Sequence, residues 1–287
     1  MQILAATDFS TRSHRALRRA GLVARCCAAD LTLVHVVDDD QPEELVELER
    51  READRILTGQ VAATAELRGT RCRSMVVAGD PFDGILRTAS SIQAGLVVMG
   101  SHRRQLLRDI FVGTTVERVL RTGPYPVLMV NNEVQQPYRT ALAAVDMSEP
   151  SAHAMRVART AGFVAEDGLA VVHAFDSLGR GKLTVAGVNR SSIDAYVARE
   201  HQEAADELAA FLAANGLGAA TMPLRVEEGG AFEVIARAVE DLRPDVLVMG
   251  THARSGVSKM LLGSVAEEAL RRLDVDILAV PPLRPDG

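Results

Sequence analysis

The sequence has no Trp and few aromatic residues, which make up only 3% of its 287 positions. Its three cysteines, adjacent Cys26 and Cys27 and distant Cys72, match neither a disulfide framework nor a zinc-site spacing. No apolar run approaches the roughly 20 residues of a membrane-spanning helix. The first residues lack the basic start and cleavage pattern of a signal peptide. These absences predict a cytoplasmic protein with no metal site and no membrane partner.

The charge balance excludes another class of partner. The formal net charge is −6, so no overall positive field draws the chain to DNA or RNA, and we expect no nucleic-acid partner. A hydrophobic share of 47% with 24% charged residues is typical of a globular chain. Abundant Ala, Val and Leu favour parallel sheets that are covered by helices.

An internal repeat divides the chain. Residues 4–10 match residues 142–148, and His35 matches His173, at an offset of 138 positions, whereas Gly100 matches Gly250 at an offset of 150. One insertion of 12 residues reconciles the two offsets, and Gly, Ser and polar residues place it in 177–191, where we expect a loop. The repeat predicts two domains, residues 1–133 and 138–287, joined by the polar segment 131–138.

Each half alternates five predicted strands with four predicted helices. Continuous Val- and Leu-rich runs between helical stretches are typical of buried parallel strands. We therefore predict an α/β protein of two tandem, open, five-stranded parallel sheets, whose ligands bind beyond the carboxyl ends of the strands. In the first half the predicted strands are 2–6, 31–37, 74–78, 95–99 and 127–130. Predicted helices include 11–26, a long helix opening at Pro42, and a second-half helix from Ser191 to near Asn215.

A glycine-bounded loop follows the fourth predicted strand of each half. Gly250-Thr251-His252-Ala253 is followed by nine residues and then Gly263-Ser264-Val265, and Gly100-Ser101-His102-Arg103 is followed by nine and then Gly113-Thr114. Glycines allow close approach of an anion, and the helix N-terminus that follows can bind phosphate. A plain strand-to-helix connection, capped by Thr114 or Ser264, is the alternative interpretation of each loop.

This loop pattern, and Leu-x-x-x-Asp-x-Ser at 4–10 and 142–148, resemble the universal stress protein family once per half, over nearly the whole chain. The resemblance implies a Rossmann-like, adenine nucleotide alpha hydrolase-like domain in each half. It also implies that ATP, or AMP or ADP, lies across the strand ends, with or without Mg²⁺. In that family the last strand mediates pairing, so we expect the strands at 126–130 and 276–280 to pair within the chain. A homodimer of such chains stays open.

The resemblance also implies particular binding residues. In domain 2, Asp146 and Ala174 would border the adenine and ribose, and the loop would hold the phosphates. The complete implied set is Ala144, Val145, Asp146, Ala174, Gly250, His252, Ala253, Arg254, Gly263, Ser264 and Val265. The weaker set in domain 1 is Asp8, Val36, Gly100, Arg103, Gly113 and Thr114.

The two loops depart from the family pattern at one position. The second glycine is Ala253 in domain 2 and Arg103 in domain 1. Alanine adds one methyl group, whereas Arg103 can fill the phosphate cavity or bind a phosphate itself. We therefore expect ATP in domain 2.

Several of these residues also fit structural roles. Asp8 and Asp146 can cap the following helices, and His35 and His173 fit hydrogen-bonded strand-end positions. His102 and His252 can contact phosphate or brace the loop. Asp38, Asp39 and Asp40 fit a solvated loop better than a cation site. The run Gly179 to Thr184 lacks the first glycine of a phosphate-binding Walker loop, because Asp176 stands in that place.

No catalytic motif is present in the sequence, so we expect no catalytic residues and no enzyme activity. The expected function is that of an ATP-binding regulatory module in the stress response. Two alternatives stay open: a nucleotide-free interaction or lipid-binding scaffold of the same fold, and a slow ATPase.

Overall fold

The computed structural model describes residues 1–101, 114–160, 162, 168–218, 222–251 and 262–283. In the first half, strands and helices alternate, and a short 3₁₀ helix at Ala65–Leu67 precedes the third strand. The strands are β1 (Gln2–Ala6), β2 (Asp30–Val37), β3 (Cys72–Ala78), β4 (Leu96–Gly100) and β5 (Val127–Val130). The helices are α1 (Thr11–Cys26), α2 (Glu43–Ala63), α3 (Pro81–Ser91) and α4 (Thr115–Thr122).

The second half repeats this order with one extra helix. Its strands are β6 (Ala141–Ala144), β7 (Leu169–Phe175), β8 (Leu224–Glu228), β9 (Val246–Gly250) and β10 (Asp276–Val280). Its helices are α5 (Glu149–Thr160), α6 (Leu178–Val185), α7 (Arg190–Ala214), α8 (Ala231–Leu242) and α9 (Ser264–Arg272).

The expected loop at 177–191 is wrong, because most of that segment forms α6 and the start of α7. The Ser177 hydroxyl and the Arg180 guanidinium both donate hydrogen bonds to the carboxylate of Glu228, at the end of β8. Asn189 then caps α7, since its side chain accepts a hydrogen bond from the Ser192 amide. The insertion is therefore a helix held at the carboxyl edge of domain 2.

All ten strands form one sheet in the order β3-β2-β1-β4-β5-β10-β9-β6-β7-β8. Pairing is parallel within each half, which confirms the predicted α/β class of two tandem five-stranded parallel units. Helices α1, α2, α5 and α7 cover one face, and α3, α4, α8 and α9 cover the other. Buried Val, Leu, Ile and Ala side chains fill both layers, as the composition predicts.

The two halves join through their last strands, as predicted. β5 and β10 pair antiparallel, and Leu128 lies opposite Leu278, its own counterpart at the 150-residue offset. Met129 pairs with Ile277, and Val127 pairs with Ala279. The 150-residue offset converts each of these two pairs into the other. A residue that pairs with its own equivalent lies on an approximate twofold axis. Because the junction is antiparallel, the carboxyl ends of the two sets of strands point to opposite edges of the sheet.

Buried Asp276 fixes the segment between the halves to β10. Its carboxylate accepts hydrogen bonds from the amides of Asn131 and Asn132, at 2.8 and 2.9 Å, and from the Tyr138 hydroxyl at 2.6 Å. The Arg19 guanidinium lies 3.4 Å from the same carboxylate and stacks 3.9 Å from the centre of the Tyr138 ring. Burial raises the pKa of Asp276, although these donors oppose that rise. These contacts therefore hold the polar segment between the halves against β10.

Two crossed ion pairs hold α4 against α9. Arg271 lies 2.9 Å from Glu117, and Arg121 lies 3.4 Å from Glu267. The pairs are equivalent under the 150-residue offset, yet the Glu117 side chain is 2% exposed and that of Glu267 is 28% exposed. Each pair joins the first turn of one helix to the last turn of the other.

No helix of the described residues has the length and apolar content needed to cross a bilayer. None of the three cysteines forms a disulfide bond within the described residues, and Cys26 is exposed. Burial raises the pKa of the Cys27 and Cys72 thiols to about 11, so both are protonated at neutral pH.

We expect Tyr138→Phe to lower the free energy of unfolding by roughly 1–2 kcal/mol, because buried Asp276 loses a hydrogen-bond donor. Tyr125→Phe is the matched control, since the Tyr125 hydroxyl makes no hydrogen bond within the described residues. Urea unfolding of both variants measures the difference. Equal stabilities would contradict the role of Asp276 in holding the segment between the halves.

The crossed ion pairs should differ in strength. Arg271→Ala leaves buried Glu117 without its cation, and we expect it to cost roughly 1–3 kcal/mol of unfolding free energy. Arg121→Ala should cost at most about 1 kcal/mol, because both members of its pair are partly exposed and Glu267 keeps Arg271 as a partner. The two urea midpoints test this order, and a larger loss for Arg121→Ala would contradict it.

Candidate functional site

Each half has a cavity at the same place in its sheet. β1 lies between β2 and β4, and β6 lies between β7 and β9. The strand that follows β1 or β6 in sequence therefore lies on one side of it, and the fourth strand of that half lies on the other side. Such a switch point opens a crevice at the carboxyl ends of an α/β sheet. Because the strands of the two halves run oppositely, the two crevices open at opposite edges.

The domain-2 cavity gathers the predicted residues that lie in the described part of the chain. The strand ends contribute one wall, α8 contributes Ala231 and Ile235, and the first turn of α9 closes the end. The predicted residues that line it are Ala144, Val145, Asp146, Ala174, Gly250, Gly263, Ser264 and Val265. Three others, His252, Ala253 and Arg254, lie outside the described residues.

The domain-1 cavity repeats this arrangement. Its lining includes the predicted Asp8, Val36, Gly100 and Thr114, together with the first turns of α1 and α4. Arg103 and Gly113 lie outside the described residues, as does His102.

Sequence reasoning missed several lining residues that the repeat itself could have found. Ser13 and Ser151 are identical at the 138-residue offset and line the two cavities. Ile85 and Ile235, and Met99 and Met249, are identical at the 150-residue offset and form part of the apolar walls. Identity between the halves was thus a signal for the site.

Asp8 and Asp146 do not cap helices, so that interpretation is wrong. The Ser10 side chain caps α1, and Asp8 instead accepts a hydrogen bond from the Ser10 amide at 3.0 Å. Asp146 likewise accepts from the Ser148 amide at 3.1 Å and from the Ser148 hydroxyl. Burial opposes ionisation of Asp8, but the hydrogen bonds from Ser10 and Ser13 together outweigh it and lower its pKa. Asp8 is therefore a carboxylate at neutral pH.

The residue between Asp and Ser adopts a left-handed conformation in both halves. Phe9 has a φ of 61° and Met147, its counterpart, has a φ of 58°. Large side chains rarely adopt this conformation, and it persists only where surrounding contacts impose it. Neither residue type signals it, so the sequence could not have predicted this turn beside the cavity.

His35 and His173 are held by the backbone. Their Nδ1 atoms lie 2.8 Å from the Thr7 carbonyl oxygen and 2.7 Å from the Val145 carbonyl oxygen. Since a carbonyl oxygen only accepts, each Nδ1 carries the proton. His35 also stacks on the Phe9 ring at 4.2 Å between centres. These are the hydrogen-bonded strand-end histidines that the sequence predicts.

The two helix N-termini at the cavities are built differently. Thr114 caps α4 through a capping box with Glu117, as predicted. Ser264 does not cap α9: Gly263 occupies the N-cap without a side-chain hydrogen bond, and Ser264 is the first helical residue. The first amides of a helix lack intrahelical partners and carry partial positive charge. Both cavities therefore end at a site that attracts anions.

Gly100 and Gly250 have a packing role apart from any ligand. A Cβ atom on Gly100 would lie 2.8 Å from the backbone of Arg12, and one on Gly250 would lie 3.0 Å from the backbone of Pro150. The first turns of α1 and α5 therefore approach these strand ends too closely for a side chain. This packing accounts for the paired glycines whether or not phosphate binds there.

Within the described residues, no group of three or more His, Cys, Asp or Glu side chains is placed to hold a metal ion. The three acids Asp38 to Asp40 are exposed, and the Asp38 carboxylate accepts a hydrogen bond from the Asp40 amide at 3.0 Å. What the cavities offer is an apolar wall, a carboxylate and a helix N-terminus, which suits binding of a molecule with an apolar part and an anionic end.

We expect Gly100→Ala and Gly250→Ala to destabilise the protein by roughly 1–3 kcal/mol, because the added methyl group meets backbone. Gly100→Ala should cost more, since its contact is shorter. Gly59→Ala in α2 is the control: apart from its own helical turn, no described atom would lie within 4 Å of the added Cβ, so it should stabilise the helix by up to about 1 kcal/mol. Thermal unfolding without nucleotide measures all three, and unchanged midpoints for the first two would contradict the packing role.

Comparisons with known proteins agree with this geometry. The universal stress protein family model matches residues 1–131 and 137–281. Universal stress protein E of Escherichia coli strain K12 is 27% identical over 207 residues, covering 70% of this chain and 65% of that protein. The chain thus matches slightly less than two thirds of that relative's length.

One solved structure of a universal stress protein has the same fold over nearly the whole chain. The crystal structure of a universal stress protein from Archaeoglobus fulgidus DSM 4304 has a TM-score of 0.70 and 20% identity, and covers 98% of both chains. Another universal stress protein, solved in complex with cAMP, covers 45% of this chain at 22% identity and a TM-score of 0.38, with 96% of its own chain matched. Since the family model matches almost the entire chain, once in each half, this protein belongs to the universal stress protein family.

Proposed function

We propose that this protein binds an adenine nucleotide in the domain-2 cavity and acts as a regulatory module of the stress response. The observation that carries the proposal is the convergence of an apolar wall, the Asp146 carboxylate and the N-terminus of α9 at the switch point of the sheet. A purine suits the apolar wall, ribose hydroxyls can donate to Asp146, and phosphates suit the helix N-terminus.

Differences between the halves favour domain 2 for the base. Ala174, Ala231 and Ala266 line its cavity where domain 1 has Val36, Pro81 and Val116. Each alanine removes bulk from the apolar side, where a flat purine would pack. The nucleotide can be ATP, ADP or AMP, and Mg²⁺ would accompany ATP through its phosphates.

We also propose that nucleotide binding changes conformation or partner choice without rapid turnover, and that the protein works in the cytoplasm. His173 does not line the domain-2 cavity, so it is poorly placed as a general base for a nucleotide there. A homodimer is compatible with this proposal. Since the last strands already pair within the chain, it would use another surface.

The nucleotide-free scaffold is the second candidate. It is favoured by α6, an inserted helix in domain 2 that has no counterpart in domain 1 and carries Val185 at 91% exposure. A lipid or protein partner would then replace the nucleotide. Mass spectrometry of gently purified protein separates the two candidates by the mass that co-purifies.

Ser264→Glu tests the proposal. Ser264 is exposed and opens α9, so an acid there favours the helix dipole while its charge repels phosphates. We expect the dissociation constant for ATP, measured by calorimetry, to rise roughly tenfold or more, because like charges about 6 Å apart repel by about 3 kcal/mol at a surface-like dielectric.

Thr115→Glu is the matched control, since Thr115 opens α4 and lines the domain-1 cavity. It should leave ATP affinity unchanged, and both variants should keep the thermal midpoint of the wild type. Absence of ATP binding by the wild type would refute the proposal. A loss of affinity caused by Thr115→Glu alone would move the nucleotide to domain 1.

A further inference from the structure

The domain-1 cavity is larger than the domain-2 cavity and is lined by additional residues. Its volume is about 180 Å³, against about 130 Å³ for the domain-2 cavity. Three polar residues, Ser10, Arg12 and His35, line it, and their counterparts Ser148, Pro150 and His173 do not line the other. The additional space is therefore bounded by polar side chains.

Arg12 differs from three other arginines of α1 in its lack of an acidic partner within the described residues. Arg15, Arg18 and Arg19 on the same helix each form an ion pair, with Glu133, Glu66 and Asp276 respectively. Arg12 is half-buried, lines the cavity and forms no ion pair with any described residue. A guanidinium group matches the geometry of a phosphate and binds it through paired N–H groups. Domain 2 has Pro150 at this position and therefore lacks the group.

Hydroxyl groups and two helix N-termini surround the same cavity. The first turn of α1 contributes one N-terminus and that of α4 the other, and each carries partial positive charge. The hydroxyl-bearing lining residues are Thr7, Ser10, Ser13, Ser101, Thr114 and Thr115. Domain 2 replaces Thr7 with Val145 and Thr115 with Val265. The domain-1 lining thus offers more donors to a polar, anionic ligand.

Asp8 and the apolar side restrict what that ligand can be. The Asp8 carboxylate is the one acidic group among the described lining residues, and it can accept hydrogen bonds from ligand hydroxyls. Val36, Pro81 and Val116 add bulk on the side where domain 2 has alanines. A ligand with hydroxyls beside Asp8 and a phosphate beside Arg12 fits these groups better than a purine nucleotide.

We propose that domain 1 binds a phosphorylated, hydroxyl-rich small molecule of the chemical class of sugar phosphates. Arg12 and the N-termini of α1 and α4 hold its phosphate, and Asp8 accepts from its hydroxyls. This ligand differs from the adenine nucleotide proposed for domain 2, and the inference holds whether or not that nucleotide binds. The two halves would then sense two different metabolite classes.

Calorimetry on the full chain carrying Ser264→Glu tests the proposal, with ribose 5-phosphate, inorganic phosphate, ribose and ATP as probes. We expect ribose 5-phosphate to bind at least tenfold more tightly than inorganic phosphate, ribose to give no heat, and added ATP to leave ribose 5-phosphate binding unchanged. Arg12→Gln should weaken ribose 5-phosphate binding at least tenfold. The control Arg51→Gln, which removes the same charge from exposed α2, should leave it unchanged.

Three results would overturn the proposal: no binding of ribose 5-phosphate, equal binding of inorganic phosphate, or displacement of ribose 5-phosphate by ATP. These comparisons use one protein, so they decide the matter even if Arg12→Gln fails to fold. If the wild type binds no ATP but ribose 5-phosphate binds as expected, the proposed nucleotide function is refuted and this inference stands. Conversely, normal ATP binding by the wild type with no ribose 5-phosphate binding would refute this inference alone.

Discussion

The antiparallel hydrogen bonding between β5 and β10 determines where both cavities lie. Two parallel five-stranded sheets meet there with Leu128 opposite Leu278, so one continuous sheet replaces two exposed edges. The approximate twofold axis at this pair sends the carboxyl ends of β1 and β6 to opposite edges. A ligand in one cavity therefore cannot contact a ligand in the other, and any influence between them must pass through the junction.

The junction contains elements that could carry such an influence. Glu117 and Glu267 stand in the first turns of the two helices whose N-termini close the cavities, and each pairs with an arginine in the last turn of the other helix. Asp276 adds an asymmetric contact, because its counterpart in domain 1 is Pro126 and it binds the segment that joins the halves. The halves are therefore symmetric in their backbone and unequal in their polar contacts.

Much of the fold follows from the sequence. The repeat, the bounds of β1 and α1 and the pairing of the last strands were predictable, because buried parallel strands and cap residues leave strong local patterns. The helix α6 was not, since Gly179, Gly181 and Gly187 suggest a loop, whereas tertiary contacts with Glu228 and α7 stabilise a helix there. The left-handed turns at Phe9 and Met147 were not predictable either, because nothing in those residue types demands them. The domain boundaries at 133 and 138 stay predictions.

For the site, the motif located the strand ends but did not indicate every role that its residues have in the fold. Gly100 and Gly250 are explained by helix packing, and Gly263 rather than Ser264 occupies the N-cap. The contrast between the halves depends on residues outside the motif, above all Arg12 and Pro150. The same cavity architecture occurs once in each half, and we propose that the two cavities bind unlike ligands. Native mass spectrometry of the wild-type chain in excess ATP tests it most directly: the account predicts one nucleotide per chain, and two nucleotides or none would contradict it.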